Sequence, residues 1–269
     1  MRIVLGITGG IAAYKATSII RLLTEAGHEV KVVPTANALR FVGQTTLEAL
    51  SHNTVDPDLY TDVESVKHIE LGQSADLVIV APATAAFLAR FAAGMADDLL
   101  GNVLLATKAP VLVAPAMHTE MWQNPATVTN VETLRSRGIF VIDPASGRLT
   151  GDDSGPGRLP EPEEIVEAAL ALTFERDLNG KRILITAGGT VEPIDPVRYI
   201  GNHSSGKQGI ALARVAASRG AAVTLVLAGS DANIPGVSVV RADTAVAMEA
   251  AVNAQLENHD VFVSAAAVS

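Results

Sequence analysis

His68, His118 and the turn GITGG at residues 6–10 are the positions whose types and spacing suit chemistry. An imidazole titrates near neutrality, so a histidine at a ligand mouth can take a proton and return it. His68 precedes the apolar run at residues 77–80 and then Ala81, Pro82, Ala83, Thr84 and Ala85. A lone histidine ahead of a helix, as His68 is read, is more often a solvated surface residue, and His28, in the turn Gly27-His28-Glu29, is read that way. His118 lies in APAMHTEMW, residues 114–122, where Pro115 ends a strand and sets the histidine at a rim. A Met/Trp stripe at helical spacing is usually core, so Met117, Met121 and Trp122 carry that plainer reading as well. In the glycine turn the first amides of a helix are offered to an anion. Its spacing is not GxGxxG, so a mononucleotide phosphate suits it better than a dinucleotide. A tight strand-to-helix turn accounts for one of its glycines but less easily for three. Further on, Arg198, Asn202 and Lys207 occupy a polar, glycine-flanked stretch, which taken alone is an ordinary helix start capped by Ser204 or Ser205.

The elements that must position these groups are those of an α/β fold. Runs of Val, Ile and Leu bounded by Gly or Pro read as parallel strands buried on both faces, at residues 2–5, 30–33, 76–80, 110–114 and 138–142. Helices are expected over 11–26, 98–106 and 163–174. Ligands bind beyond the carboxyl ends of such strands, so residues 81–85 should line a site. Residues 146–162, SGRLTGDDSGPGRLPEP, are either a linker or an active-site flap by composition. A linker is expected at 175–180. At Lys181 the pattern restarts, because KRILITAGGT repeats MRIVLGITGG. Strands at 222–227, 237–240 and 261–264 and helices at 206–219 and 244–257 follow. The expected architecture is a Rossmann-like (flavodoxin-like) parallel sheet over 1–178 and a partial second Rossmann-like unit over 179–269. The second unit is expected to be incomplete, since it stops just past a central-looking strand.

Composition narrows the function. The 269 residues are 48% hydrophobic but only 4% aromatic, which suits close helix–sheet packing. The absence of cysteine excludes disulfides, thiolate metal sites and cysteine nucleophiles. A net charge of −9 argues against a nucleic-acid or membrane surface, while small anions remain admissible at helix N-termini. No stretch reaches the roughly 18 uninterrupted apolar residues of a membrane span, so a soluble, cytoplasmic protein is expected.

Taken together, GITGGIAAYKA, His68 ahead of ADLVIVAPATA, GMADDLL and PAMHTEMW resemble the flavin-dependent cysteine decarboxylases, and most nearly 4′-phosphopantothenoylcysteine decarboxylase. ITAGGTVEPIDPVRYIGNHSSGKQG is similar to phosphopantothenate–cysteine ligase. Fusion in this order is that of the bifunctional bacterial coenzyme A biosynthesis proteins, and the resemblance covers nearly the whole chain. It implies a decarboxylase domain over 1–178 and the N-terminal part of a ligase domain over 179–269. It also implies FMN, which oxidises the substrate's cysteine side chain to a thioaldehyde so that CO2 leaves through an enethiolate, the electrons returning afterwards. His68 is then the catalytic acid/base. Gly9, Gly10, Ile11 and Ala12 hold the FMN phosphate, while Thr35, Ala81, Pro82, Ala83, Thr84 and Ala85 lie along the flavin. Met117, His118, Met121 and Arg158 face the substrate.

Three positions depart from the family pattern. Ala86 and His118 stand where the family has asparagines, the second of which grips the substrate carboxylate. A histidine can donate to a carboxylate too, so His118 is carried as catalytic as well as substrate-binding. Gly151 stands where the family has a cysteine that donates a proton in the final reduction. Asp152, Asp153 or water must serve instead, or the reductive half is altered. For the ligase, the resemblance implies that Asn202 stabilises an acyl-cytidylate made from CTP with Mg2+, aided by Arg198 and Lys207. Further CTP determinants are expected beyond Ser269, so ligation is not expected of these residues alone. Two other readings are a peptidyl-cysteine decarboxylase, which the ligase-like domain argues against, and a catalytically silent flavin-binding regulatory subunit, which His68 and His118 argue against. Family members also imply a homo-oligomer built from trimers, with FMN at subunit contacts.

Overall fold

Strands whose side chains are apolar on both faces need helices on both faces, and the first 173 residues are built on that requirement. The computed structural model describes residues 1–55, 67–148, 154–232, 234 and 236–269. It divides the chain into two compact units, Met1–Thr173 and Phe174–Ser269. In the first unit β1 (Arg2–Ile7) is followed by α1 (Ala16–Glu25), β2 (Glu29–Pro34), α2 (Gln44–Ser51) and α3 (Lys67–Ser74). Then come β3 (Leu77–Ala83), α4 (Ala85–Ala92), α5 (Leu99–Ala106) and β4 (Val111–Pro115). Next are α6 (Thr119–Trp122), α7 (Pro125–Ser136), β5 (Phe140–Val141), a hairpin of β6 (Ala145–Arg148) and β7 (Ser154–Arg158), and α8 (Pro162–Ala171).

The main sheet is parallel in the order β2-β1-β3-β4-β5. This is the flavodoxin-like order, which reverses between β1 and β3 and opens a crevice there. Strand alternation divides the core: Ile3, Leu5 and Ile7 pack on one face with α1 and α8, and Val4 on the other with α4, α5 and α7. All seven residues of β3 and all five of β4 are buried, so these strands have no solvent face. The helix expected from residue 11 opens instead as a 3₁₀ turn, Ile11–Lys15, because Ala13 N–H bonds back to Gly10 O at 2.9 Å.

The second unit runs β8 (Arg182–Ala187), β9 (Val191–Pro193), β10 (Tyr199–Gly201), α9 (Lys207–Ser218), β11 (Ala222–Leu227), β12 (Val237–Arg241), α10 (Ala245–Leu256) and β13 (Val261–Ser264). Its parallel sheet has the order β12-β11-β8-β13, the arrangement of the first four strands of a Rossmann sheet. β9 and β10 form a small antiparallel hairpin. β13 is an edge strand with Val261 and Phe262 exposed. The stretch expected as a linker folds onto this unit: Leu178 packs in its core and Asp177 pairs with Arg219.

The repeated strand starts are anchored alike. Arg2 N–H donates to Asp76 at 2.6 Å, and Arg182 N–H donates to Asp260 at 2.8 Å. Asp260 also accepts from the Arg182 guanidinium, which holds its carboxyl at about 2.

Candidate functional site

Three strand ends meet at the crevice between β1 and β3. Thr8, buried just past β1, donates its hydroxyl to Pro82 O at 2.8 Å and accepts from Thr84 N–H at 3.0 Å. Its own amide also donates to Pro82 O, at 3.2 Å. Thr8 therefore staples the loop after β1 to the end of β3. Thr35 N–H donates to Ile7 O at 2.9 Å and brings in the loop after β2. There Gly9 is pressed against Asn37, and a Cβ on Gly9 would lie 2.5 Å from Asn37 Cβ and 2.8 Å from its carbonyl carbon. Gly10 is extended and faces only the Thr84 methyl, at 3.5 Å. It occupies the N-cap of the 3₁₀ turn without a side-chain cap, so the amides that open the turn, at Ile11 and Ala12, are not capped by a side chain. Amides left uncapped in this way are donors of the kind that an anion accepts from.

The stretch read as a turn at residues 81–85 is mostly strand. β3 continues through Ala81, Pro82 and Ala83, all buried, with a register shift between Val80 and Ala83. Local pattern treats Pro82 as a breaker, whereas here its carbonyl is taken up by Thr8. Only Thr84 and Ala85 are half-exposed at the mouth, Thr84 as the side-chain cap of α4. Ala116 N–H donates to Ala83 O at 3.0 Å and sets the end of β4 alongside.

His118 is exposed at the N-cap position of α6. Met117 and Trp122 pack against the core, as the plainer reading has it, while Met121 is exposed. The described part of the glycine-rich stretch is an antiparallel hairpin, and β7 lies against the His118 turn. Met117 N–H donates to Gly157 O at 3.0 Å. Gly157 has φ +150, and a Cβ there would stand 2.3 Å from Met117 O, so only glycine permits this approach. Arg158, next in sequence, pairs with Glu161 at 2.6 Å. Gly151, Asp152 and Asp153 lie outside the described residues.

His68 is half-buried and is the second residue of α3, rather than a residue ahead of it. As a crossover between parallel strands, α3 runs antiparallel to them, so its N-terminus lies toward their carboxyl ends, the end that carries the crevice. Sequence reasoning missed Thr8, Lys15 and Glu161. A hydroxyl between an apolar run and two glycines was the available signal for Thr8. Nothing local marked Glu161.

In the second unit Lys207 is the exposed first residue of α9. The N-cap is Gly206, with φ +72 and no side-chain bond, in place of the serine cap expected from sequence. Exposed Asn202 donates to Ser269 Oγ at 3.1 Å. Arg198 is held by Asp195 at 2.7 Å and is separated from Asn202 by β10. The Val197 amide, followed by the Arg198 side chain, holds the Asp195 carboxyl below its usual range.

The sequence matches the Flavoprotein family over residues 1–174 and the DNA/pantothenate metabolism flavoprotein C-terminal domain over residues 178–269. It is 58% identical over 277 aligned positions to the coenzyme A biosynthesis bifunctional protein CoaBC of Mycolicibacterium smegmatis, covering 100% of this chain and 66% of that one. Identity to the Escherichia coli protein of the same name is 48% over 272 positions, covering 100% of this chain and 67% of the relative. The chain thus spans about two thirds of the length of these relatives. Among solved structures, a PPC decarboxylase mutant complexed with pantothenoylaminoethenethiol superposes with a TM-score of 0.57 at 34% identity, over 62% of this chain and 94% of that one. The FMN binding protein AtHal3 gives a TM-score of 0.56 at 34% identity, over 62% and 93%. Among the described residues no helix is long and apolar enough to cross a membrane.

Proposed function

The chain belongs to the flavoprotein family of bifunctional coenzyme A biosynthesis proteins, and we propose that its first unit decarboxylates 4′-phospho-N-pantothenoylcysteine to 4′-phosphopantetheine with FMN. The observation that carries this reading is the junction of Gly9, Gly10, Asn37 and Thr84, whose turn amides, uncapped by any side chain, suit a phosphate. Bound FMN would supply a two-electron acceptor that turns an alkyl thiol, which cannot stabilise a carbanion, into a thiocarbonyl, which can.

The chain's own residues have the remaining tasks. Gly9, Gly10, Ile11 and Ala12 hold the phosphate, and Thr35, Thr84 and Ala85, with the backbone of Ala81, Pro82 and Ala83, bound the ring. His68 moves a proton at the thiol-bearing end of the substrate. His118 donates an N–H to the departing carboxylate, with Met117 and Met121 beside it and Arg158 holding an anionic group. The second unit is part of a ligase that joins 4′-phosphopantothenate to cysteine with CTP and Mg2+, using Asn202, Arg198 and Lys207 on the acyl-cytidylate. The resemblance implies a homo-oligomer built from trimers, in which the exposed Ile11 and Tyr14 next to the phosphate loop would be covered. The cysteine-free composition supports a cytoplasmic location.

The test is to load the chain with FMN, add phosphopantothenoylcysteine and follow CO2. His68→Asn should keep FMN and lose about 10²- to 10⁴-fold in rate. Full activity of that variant would remove His68 from the mechanism, and an inactive parent would remove the decarboxylase itself.

A further inference from the structure

Strand β7 leaves the His118 turn through a segment held from two sides. Arg158 ends the strand, Leu159 is buried in the core, and Glu161 occupies the N-cap position of α8 without capping it. The two carboxylate oxygens of Glu161 are divided instead between two cations. Oε2 accepts from Lys15 Nζ at 3.0 Å, and Oε1 accepts from the Arg158 guanidinium at 2.6 Å.

Lys15 is the last residue of the 3₁₀ turn that starts at Gly10, so it sits one turn beyond the phosphate loop. Its side chain is only 14% exposed, and its ammonium also donates to Leu159 O at 3.3 Å. The Lys15 hydrogen bond, with lesser help from the charges of Lys15 and Arg158, holds the Glu161 carboxyl below its usual range. One carboxylate therefore ties the cofactor side of the crevice to the strand over the substrate side.

We infer that Glu161 is a positioning residue: by sharing its carboxylate between Lys15 and Arg158 it fixes the Arg158 guanidinium beside the His118 turn, with its remaining N–H donors presented to an anionic group of the substrate. This rests on the decarboxylase reading. A guanidinium carries five N–H donors in a rigid fork, so committing one edge to Glu161 orients the others.

Glu161→Gln keeps the volume and one acceptor oxygen but removes the charge that holds two cations. In the FMN-loaded chain it should raise KM for phosphopantothenoylcysteine about three- to fivefold, the scale of a partly exposed ion pair, with kcat and bound FMN unchanged. In an Arg158→Ala background the same substitution should leave KM where Arg158→Ala alone puts it. Additive effects of the two substitutions, or a lower thermal midpoint with KM unmoved, would overturn the inference and make Glu161 a plain brace. Titrating each FMN-loaded protein with 4′-phosphopantetheine, read by flavin absorbance, repeats the comparison without turnover. A parent that binds but releases no CO2 rejects the decarboxylase reading while the inference stands or falls on the titration. Equal binding by parent and Glu161→Gln rejects the inference alone.

Discussion

Replacing Gly9 by alanine places a methyl carbon 2.5 Å from Asn37 Cβ and 2.8 Å from the Asn37 carbonyl carbon. Carbon pairs rest at about 3.5–4.0 Å, so the loops after β1 and β2 must part by about 1 Å. The obstruction includes backbone, and Thr35 N–H and Thr8 fix the neighbouring chain on either side, so the strain has no flexible side chain to absorb it. Overpacking of this kind costs about 1–3 kcal/mol, or about 2–10 °C in the midpoint of a unit this size. Displacing the amides at Gly10, Ile11 and Ala12 should also lose at least one charge-assisted hydrogen bond to phosphate. That loss, about 1.5–3 kcal/mol, weakens FMN about tenfold to a hundredfold. Gly10→Ala is the control, because its backbone is extended and its Cβ would meet only the Thr84 methyl at 3.5 Å. Without cofactor its stability should stay within about 0.5 kcal/mol of the parent. Thermal unfolding of the apo-protein and FMN titration by flavin fluorescence give the two readouts. Equal destabilisation by both substitutions, or none by Gly9→Ala, would refute the packing argument.

Thr8→Val keeps the shape of the staple and the amide bond to Pro82 O but leaves the Thr84 N–H without its acceptor, and should cost about 1–3 kcal/mol by denaturant titration. If His118 grips the carboxylate, His118→Asn should keep most of the activity through its amide N–H while His118→Ala raises KM, and steady-state kinetics separate them. Asp260 stays ionised in the folded state down to about pH 2, against an ordinary value of 3.8. Its contribution to stability is therefore present above pH 4 and lost as pH falls through 2. Asp260→Asn should flatten that part of the acid-unfolding curve of the second unit.

The strands were legible because Val/Ile/Leu runs without alternation have one physical use, burial on both faces, and Leu77, Val78, Ile79 and Val80 meet that description within a few residues. The continuation through Ala81, Pro82 and Ala83 was not legible. It depends on Thr8, 74 residues earlier, accepting the role of partner to Pro82. The glycine turn reads as an anion site from sequence, but the need for glycine at position 9 comes from Asn37, which local spacing cannot place. The hairpin of β6 and β7 was hidden by a composition of Gly, Ser and Pro that reads as loop, and its ladder is a pairing across the chain. Glu161 was hidden because its partners are Lys15, far back in the chain, and Arg158, whose own role was assigned to substrate.

The most direct test follows the substrate's own atoms. Phosphopantothenoylcysteine labelled in its cysteinyl carboxyl is incubated with the FMN-loaded chain, and labelled CO2 and the organic product are quantified together by mass spectrometry. The account predicts one labelled CO2 for each 4′-phosphopantetheine formed, with no external reductant, because the electrons taken from the thiol are returned to it. No labelled CO2, or CO2 accompanied only by an enethiol two hydrogens short of phosphopantetheine, would contradict it.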